Sequence, residues 1–151
     1  MSDASIDDIK YNLLQFISLF HRLFAPTFKS ENDDEYECTK NQIRAIMIIG
    51  KAKKISPTTL CQCMDMEKGS VTTLLYSLEK ANLVYREDDP KDKRKVLIQL
   101  TDEGIIYYIK QGEKFLQLIK ELFSTLPKNE IIKFNESLQI VVEVLEKVRD
   151  V

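Results

Sequence analysis

Arg94 and its neighbours carry the most specific chemistry in this chain. Lys91, Lys93, Arg94 and Lys95 set four cations within five residues, and Asp92 stands two positions before the arginine. An arginine at a narrow tip suits a nucleic-acid minor groove, where negative potential is concentrated. Asp92 falls on the same side of a strand or tight turn, so the two can also form a hairpin salt bridge with no role toward DNA. A second set of groups lies upstream. Lys68, Thr72, Thr73, Tyr76, Ser77 and Lys80 offer hydroxyls, one aromatic ring and two cations. Such groups reach phosphates and base edges, because Ser and Thr donate or accept and a Thr methyl can touch a thymine methyl.

These groups need elements to hold them. Asp88-Asp89-Pro90 is turn chemistry, and Val96, Ile98 and Leu100 alternate as the inward face of a strand. Together they predict a β-hairpin over about 85–100. Thr101, followed by Asp102 and Glu103, is a helix cap with first-turn acids, so a helix starts at once. Upstream, Val71, Leu74, Leu75 and Leu78 share one face of a helix over about 67–81 and must pack inward. Gly69, Thr73, Tyr76 and Lys80 lie opposite, with Thr72 and Ser77 at the edges. Ser56-Pro57 starts a shorter helix, about Pro57 to Met64. Thr39-Lys40-Asn41-Gln42 fits a capping box, opening a helix that Gly50 is expected to stop. Two helices joined by a tight turn, then a basic hairpin, make a winged helix-turn-helix.

The composition bounds the rest. The chain has 151 residues and one domain's worth of core, with four glycines and four prolines. No apolar run is long enough to span a bilayer, and the acidic N-terminus lacks the cations of a signal peptide. A cytoplasmic protein without membrane attachment is expected. Net charge is −2, which taken whole speaks against nucleic acid. Its distribution does not: residues 39–100 carry 12 Lys/Arg against 7 Asp/Glu, while residues 1–38 are net −5 and residues 101–151 net −2. A basic middle on an acidic scaffold is the pattern of a nucleic-acid-binding module.

Residues 39–104 resemble the DNA-binding lobe of the MarR family of transcription regulators. The resemblance rests on Thr39-x-x-Gln42, Leu60-Cys61, Ser70-Val71-Thr72, Leu78-Glu79-Lys80 and Leu83-Val84-x-Arg86. It is most specific in Asp89-Pro90-x-Asp92-x-Arg94 and Leu100-Thr101-x-x-Gly104. It implies one domain over 1–151, mostly α with a small β-hairpin wing: a winged helix-turn-helix lobe over 39–100 and dimerisation helices over 6–28 and 104–149. It implies a roughly triangular homodimer on a palindromic double-stranded DNA operator, the helix at 67–81 in the major groove and the wing in the minor groove, probing DNA through Lys68, Ser70, Thr72, Thr73, Tyr76, Ser77, Lys80, Lys91, Lys93, Arg94 and Lys95. Asp92 would orient Arg94. The chain departs from the family pattern in having Thr73 where an arginine is common and Asn82 where a glycine is common. Fewer cations on the recognition helix mean weaker, less salt-sensitive binding.

Apolar periodicity argues for pairing independently. Ile6, Ile9, Leu13, Phe16, Ile17, Phe20, Leu23 and Phe24 form a stripe, and Pro26 should end or kink that helix. Comparable faces recur at Ile105, Ile106, Ile109, Phe115, Leu118, Ile119 and Leu122, and at Ile131, Ile132, Leu138, Val141, Val142, Leu145 and Val148. A second copy related by a two-fold axis is the economical cover.

The acidic stretch 31–37 lacks the spacing of a calcium loop and reads as solvated. Three cysteines form no disulfide framework. The family resemblance implies that Cys61 is buried, and Cys38, beside the acidic stretch, is expected to be exposed. Cys61 and Cys63 lie about 200° apart on a helix and do not face each other. The family resemblance implies a small aromatic or phenolic effector in a cleft, for which Tyr11, Phe20, His21, Phe24 and Tyr36 are the candidates. No metal or cofactor is expected. One histidine and no phosphate loop leave no enzymatic constellation. The alternative from another class is a winged-helix protein-interaction module or antirepressor with weak or no DNA binding.

Overall fold

The structure is a computed structural model and describes residues 3–24 and 35–150. Pro26 and residues 31–34 of the acidic stretch lie outside the described residues. The elements run α1 (Asp3–Phe24), α2 (Lys40–Ala52), α3 (Pro57–Met64), α4 (Lys68–Lys80), β1 (Val84–Asp88), β2 (Val96–Leu100), α5 (Asp102–Phe123) and α6 (Lys128–Arg149). Mostly helix with one antiparallel hairpin, this is the predicted fold class. Two compact units divide it, Met1–Lys114 and Phe115–Val151. No helix among the described residues is long and apolar enough to cross a membrane.

The caps read from the sequence form as bonds. Gln42 N–H donates to Thr39 Oγ1 at 3.2 Å and Thr39 N–H donates to Gln42 Oε1 at 2.7 Å, closing the capping box of α2. Thr59 N–H donates to Ser56 Oγ at 3.1 Å, and Pro57 fills the first position of α3. Gly104 N–H donates to Thr101 Oγ1 at 2.9 Å at the head of α5. Asn82 adopts φ 58°, the left-handed conformation that asparagine tolerates.

Gly50 does not stop α2, which continues to Ala52. The glycine serves packing instead: a Cβ there would lie 2.5 Å from the Tyr108 ring. Helix α2 ends at Lys53, with φ 68° and ψ −55°. Lys54 N–H then donates to Ala52 O at 2.9 Å, a tight γ-turn that L-residues rarely adopt.

The core belongs to the lobe. Ile43, Ile46 and Ile49 of α2 meet Leu60 and Met64 of α3, the Val71–Leu78 face of α4, Leu83, and Ile98 of the hairpin. Burying one such side chain contributes roughly 1.5–3 kcal/mol. Cys38 is buried in this cluster, contrary to expectation, because Glu37 at φ 49° turns the chain and brings Cys38 in just ahead of α2. Cys61 is only half-buried, since Leu60 and Met64 take the inward positions of α3, and Cys63 is exposed.

Helices α1 and α6 leave their apolar faces open. On α1, Ile9, Phe16 and Phe20 are exposed, and α6 buries no residue. Helix α5 buries Gly104, Tyr107 and Gln111, whereas Ile105, Ile106 and Ile109 face outward.

Candidate nucleic-acid interface

Helix α4 is delivered by a short turn. Asp65 takes a left-handed conformation, φ 51° and ψ 50°, and Met66 N–H donates to Cys61 O at 3.2 Å, which closes α3. With Val71, Leu74, Leu75 and Leu78 buried, the opposite face is fixed outward. Lys68, Ser70, Thr72, Thr73, Tyr76 and Lys80 are all exposed. The hydroxyls are not equivalent, however. Thr72 Oγ1 donates to Lys68 O at 2.8 Å and Thr73 Oγ1 to Gly69 O at 3.1 Å. Their protons are committed to the helix backbone, leaving lone pairs and methyls toward solvent. In that state they suit an adenine or cytosine amino group and a thymine methyl better than the acceptors of guanine.

Ser77 differs again. Its Oγ donates to Leu74 O at 2.6 Å and accepts from Gln42 Nε2 at 2.8 Å, and the residue is half-buried. Gln42 thus caps α2 with one end of its amide and clamps α4 with the other. Lys80 Nζ sits 5.4 Å from the centroid of the exposed Tyr76 ring, within cation–π range.

The wing is an antiparallel ribbon in which Val84 pairs with Leu100, Arg86 with Ile98 and Asp88 with Val96. Its tip is built by two carboxylates. Lys91 N–H donates to Asp89 Oδ1 at 2.9 Å, and Arg94 N–H donates to Asp92 Oδ1 at 3.1 Å. Backbone bonds from Asp92 N–H to Asp89 O and from Lys95 N–H to Asp92 O close the loop. Arg94 Nε also donates to Asp92 Oδ1, at 3.2 Å, while the arginine side chain is 91% exposed. The guanidinium is therefore aimed by Asp92 yet fully presented. Lys91, Lys93 and Lys95 surround it, exposed.

Wing and helix are tied to the lobe. Arg86 pairs with Glu79 of α4, and Glu87 accepts from Gln99 and pairs with Lys54 at 3.8 Å. Ile55, between α2 and α3, exchanges both backbone bonds with Ile98, at 3.1 and 2.7 Å.

Two features escaped the reading of the sequence. Lys51 and Lys54 join Lys68, Arg94 and Lys95 along one groove beside the wing. The run Lys51-Ala52-Lys53-Lys54, just before the Ser56-Pro57 helix start, was the available signal. A cavity of about 300 Å³ is lined by Tyr36, Glu103, Ile106, Tyr107, Lys110 and Gln111, among others. Of the five ligand candidates only Tyr36 lines it, its ring 5.5 Å from that of Tyr107 and perpendicular to it. Tyr11, Phe20, His21 and Phe24 lie on α1; Phe20 stacks with Phe16 and packs against His21 and Phe24.

A two-helix motif with a polar outward face, followed by an ordered basic ribbon, defines a winged helix-turn-helix protein. The sequence profile of the MarR family matches residues 39–95. The HTH-type transcriptional repressor YetL of Bacillus subtilis (strain 168) is 34% identical over 68 residues, 44% of this chain and 41% of that protein. The chain thus spans less than half the length of the curated relatives it matches. Among solved structures, Streptococcus pneumoniae FabT in complex with DNA superposes with a TM-score of 0.65 at 20% identity, covering 95% of this chain and 99% of that one. NadR in complex with 4-hydroxyphenylacetate gives 0.64 at 24%, covering 88% and 91%. The match to the MarR family is thus confined to the winged-helix lobe. The curated relatives YetL and SarZ are an HTH-type transcriptional repressor and an HTH-type transcriptional regulator.

Proposed function

We propose that this chain is a homodimeric, sequence-specific regulator of transcription that binds double-stranded DNA, acts as a repressor and is released by a small ligand. The observation that carries the reading is the pairing of an outward hydroxyl face on α4 with a wing whose Arg94 is held by Asp92 and otherwise open to solvent. A rigid helix can enter a major groove while the ribbon reaches the adjacent minor groove. FabT, of the same fold, was solved with DNA. Exposed apolar faces on α1, α5 and α6 support a symmetric dimer, which would present two lobes to a palindromic operator. The cavity beside the Tyr36–Tyr107 pair supports the ligand: an aromatic ring can pack there, with Lys110 available to a carboxylate.

The test is a titration of the protein into duplex DNA, both random sequence and fragments selected from the source genome, at low and moderate salt. Binding that weakens as salt rises, with preference for the selected fragments, is expected. Absence of binding even at low salt would sink this reading in favour of a protein-interaction module, which the weakly charged face of α4 would also suit. Adding 4-hydroxyphenylacetate to the preformed complex then examines release.

A further inference from the structure

A wide groove of about 1160 Å³ runs between the first turn of α3, the end of α2 and the wing. Its walls carry Lys51, Lys54, Lys68, Arg94 and Lys95, with Asp89 as the acid among them, in a chain of net charge −2. We infer that this groove seats one sugar–phosphate strand of the bound duplex, with Lys51 and Lys54 as backbone-positioning residues. The inference rests on the DNA-binding reading and assigns residues that reading does not name.

The geometry follows from the two grooves of DNA. A protein that places a helix in the major groove and a ribbon in the next minor groove must pass the strand separating them between helix and ribbon. The groove described is lined by Lys68 at the head of α4 as well as by Arg94 and Lys95 of the wing, and its cations match the charge such a strand carries. It is also preformed. The Ile55–Ile98 bridge joins the α2–α3 connection to β2, fixing the distance between the walls. The γ-turn at Lys53 divides the basic run, so that Lys51 and Lys54 line the groove and Lys53 does not. Lys51 is exposed and forms no ion pair among the described residues. Lys54 meets Glu87 at 3.8 Å, both side chains about half exposed, a pairing that a phosphate can replace. Phosphate contacts set register and orientation without reading sequence, so these lysines add affinity equally on any duplex.

The experiment compares wild type, the Lys51→Ala/Lys54→Ala double variant and Lys133→Ala on α6, on random and genome-selected duplexes over a salt series. Circular dichroism melting verifies folding; both lysines are exposed, so the fold is expected to persist. The double variant should bind roughly 10–100-fold more weakly on both duplexes alike, with a salt slope shallower by about 0.9 for each phosphate that a protomer no longer neutralises. Lys133→Ala should match wild type. Unchanged affinity and slope in the double variant, with wild type binding normally, would overturn the groove assignment. So would a loss confined to the selected fragments. No wild-type binding to any duplex would overturn the DNA reading, and the groove with it.

Discussion

Arg94 is presented by a loop that spends two aspartates on its own geometry. Asp89 and Asp92 each accept a backbone N–H two residues on, and Asp92 adds the arginine Nε. An exposed pair of this kind contributes little to folding, because solvent screens it and ordering two side chains costs entropy. Its worth lies in aiming the guanidinium before DNA arrives. Arg94→Ala should therefore weaken operator binding by about 1–3 kcal/mol, with the melting temperature and solution mass unchanged. Asp92→Ala should weaken binding less, and its effect should vanish in the Arg94→Ala background. A double-mutant cycle by fluorescence anisotropy measures that coupling; independent, additive losses would show that Asp92 acts through the loop alone. The charge pattern of this tip was legible in the sequence. The commitment of Ser77 to Gln42 was not, since the two residues are 35 positions apart.

At the scale of elements, two glycines decide how closely helices approach. A Cβ at Gly104 would lie 2.0 Å from the Leu83 carbonyl oxygen, the acceptor of Thr101 N–H at 3.0 Å. That oxygen is backbone at the base of the wing and cannot swing aside. Gly104→Ala should destabilise the lobe by about 1–3 kcal/mol or more, as overpacking against a fixed atom does. Gly50 faces the half-buried Tyr108 ring, which can tilt, so Gly50→Ala should cost less. Thermal melts of the two variants rank them; equal losses would mean that the base of the wing yields after all. Helix starts were the most legible elements, because Thr39, Ser56 and Thr101 cap through bonds spanning three residues. The end of α2 was misplaced because a glycine that makes room for a distant ring looks, locally, like a glycine that ends a helix.

For the whole molecule, the apolar faces of α1, α5 and α6 stand exposed among the described residues. Ile109 is 52% exposed and Leu145 likewise 52%. A monomer exposing such patches in water would associate, and the proposed two-fold dimer gives that association an end point. Ile109→Asp and Leu145→Asp should each shift the protein toward monomer in sedimentation velocity. Each should also reduce operator binding far more than binding to a single half-site. A wild-type protein that sediments as a monomer at micromolar concentration would refute the dimer.

By itself the sequence determined the order of elements, the capped starts of α2, α3 and α5 and the inward face of α4, because hydrogen bonds within one turn and apolar periodicity are local. It also determined the wing, whose turn aspartates and cations are contiguous. Tertiary structure alone decided which groups remain available. It buried Cys38, spent the Ser77 hydroxyl and left α1 outside the walls of the cavity that Tyr36 and Tyr107 line. It also gathered Lys51 and Lys54 with Lys68, Arg94 and Lys95 along one groove. The physical reason is that availability depends on what packs against a side chain, and those neighbours come from residues far apart in the chain.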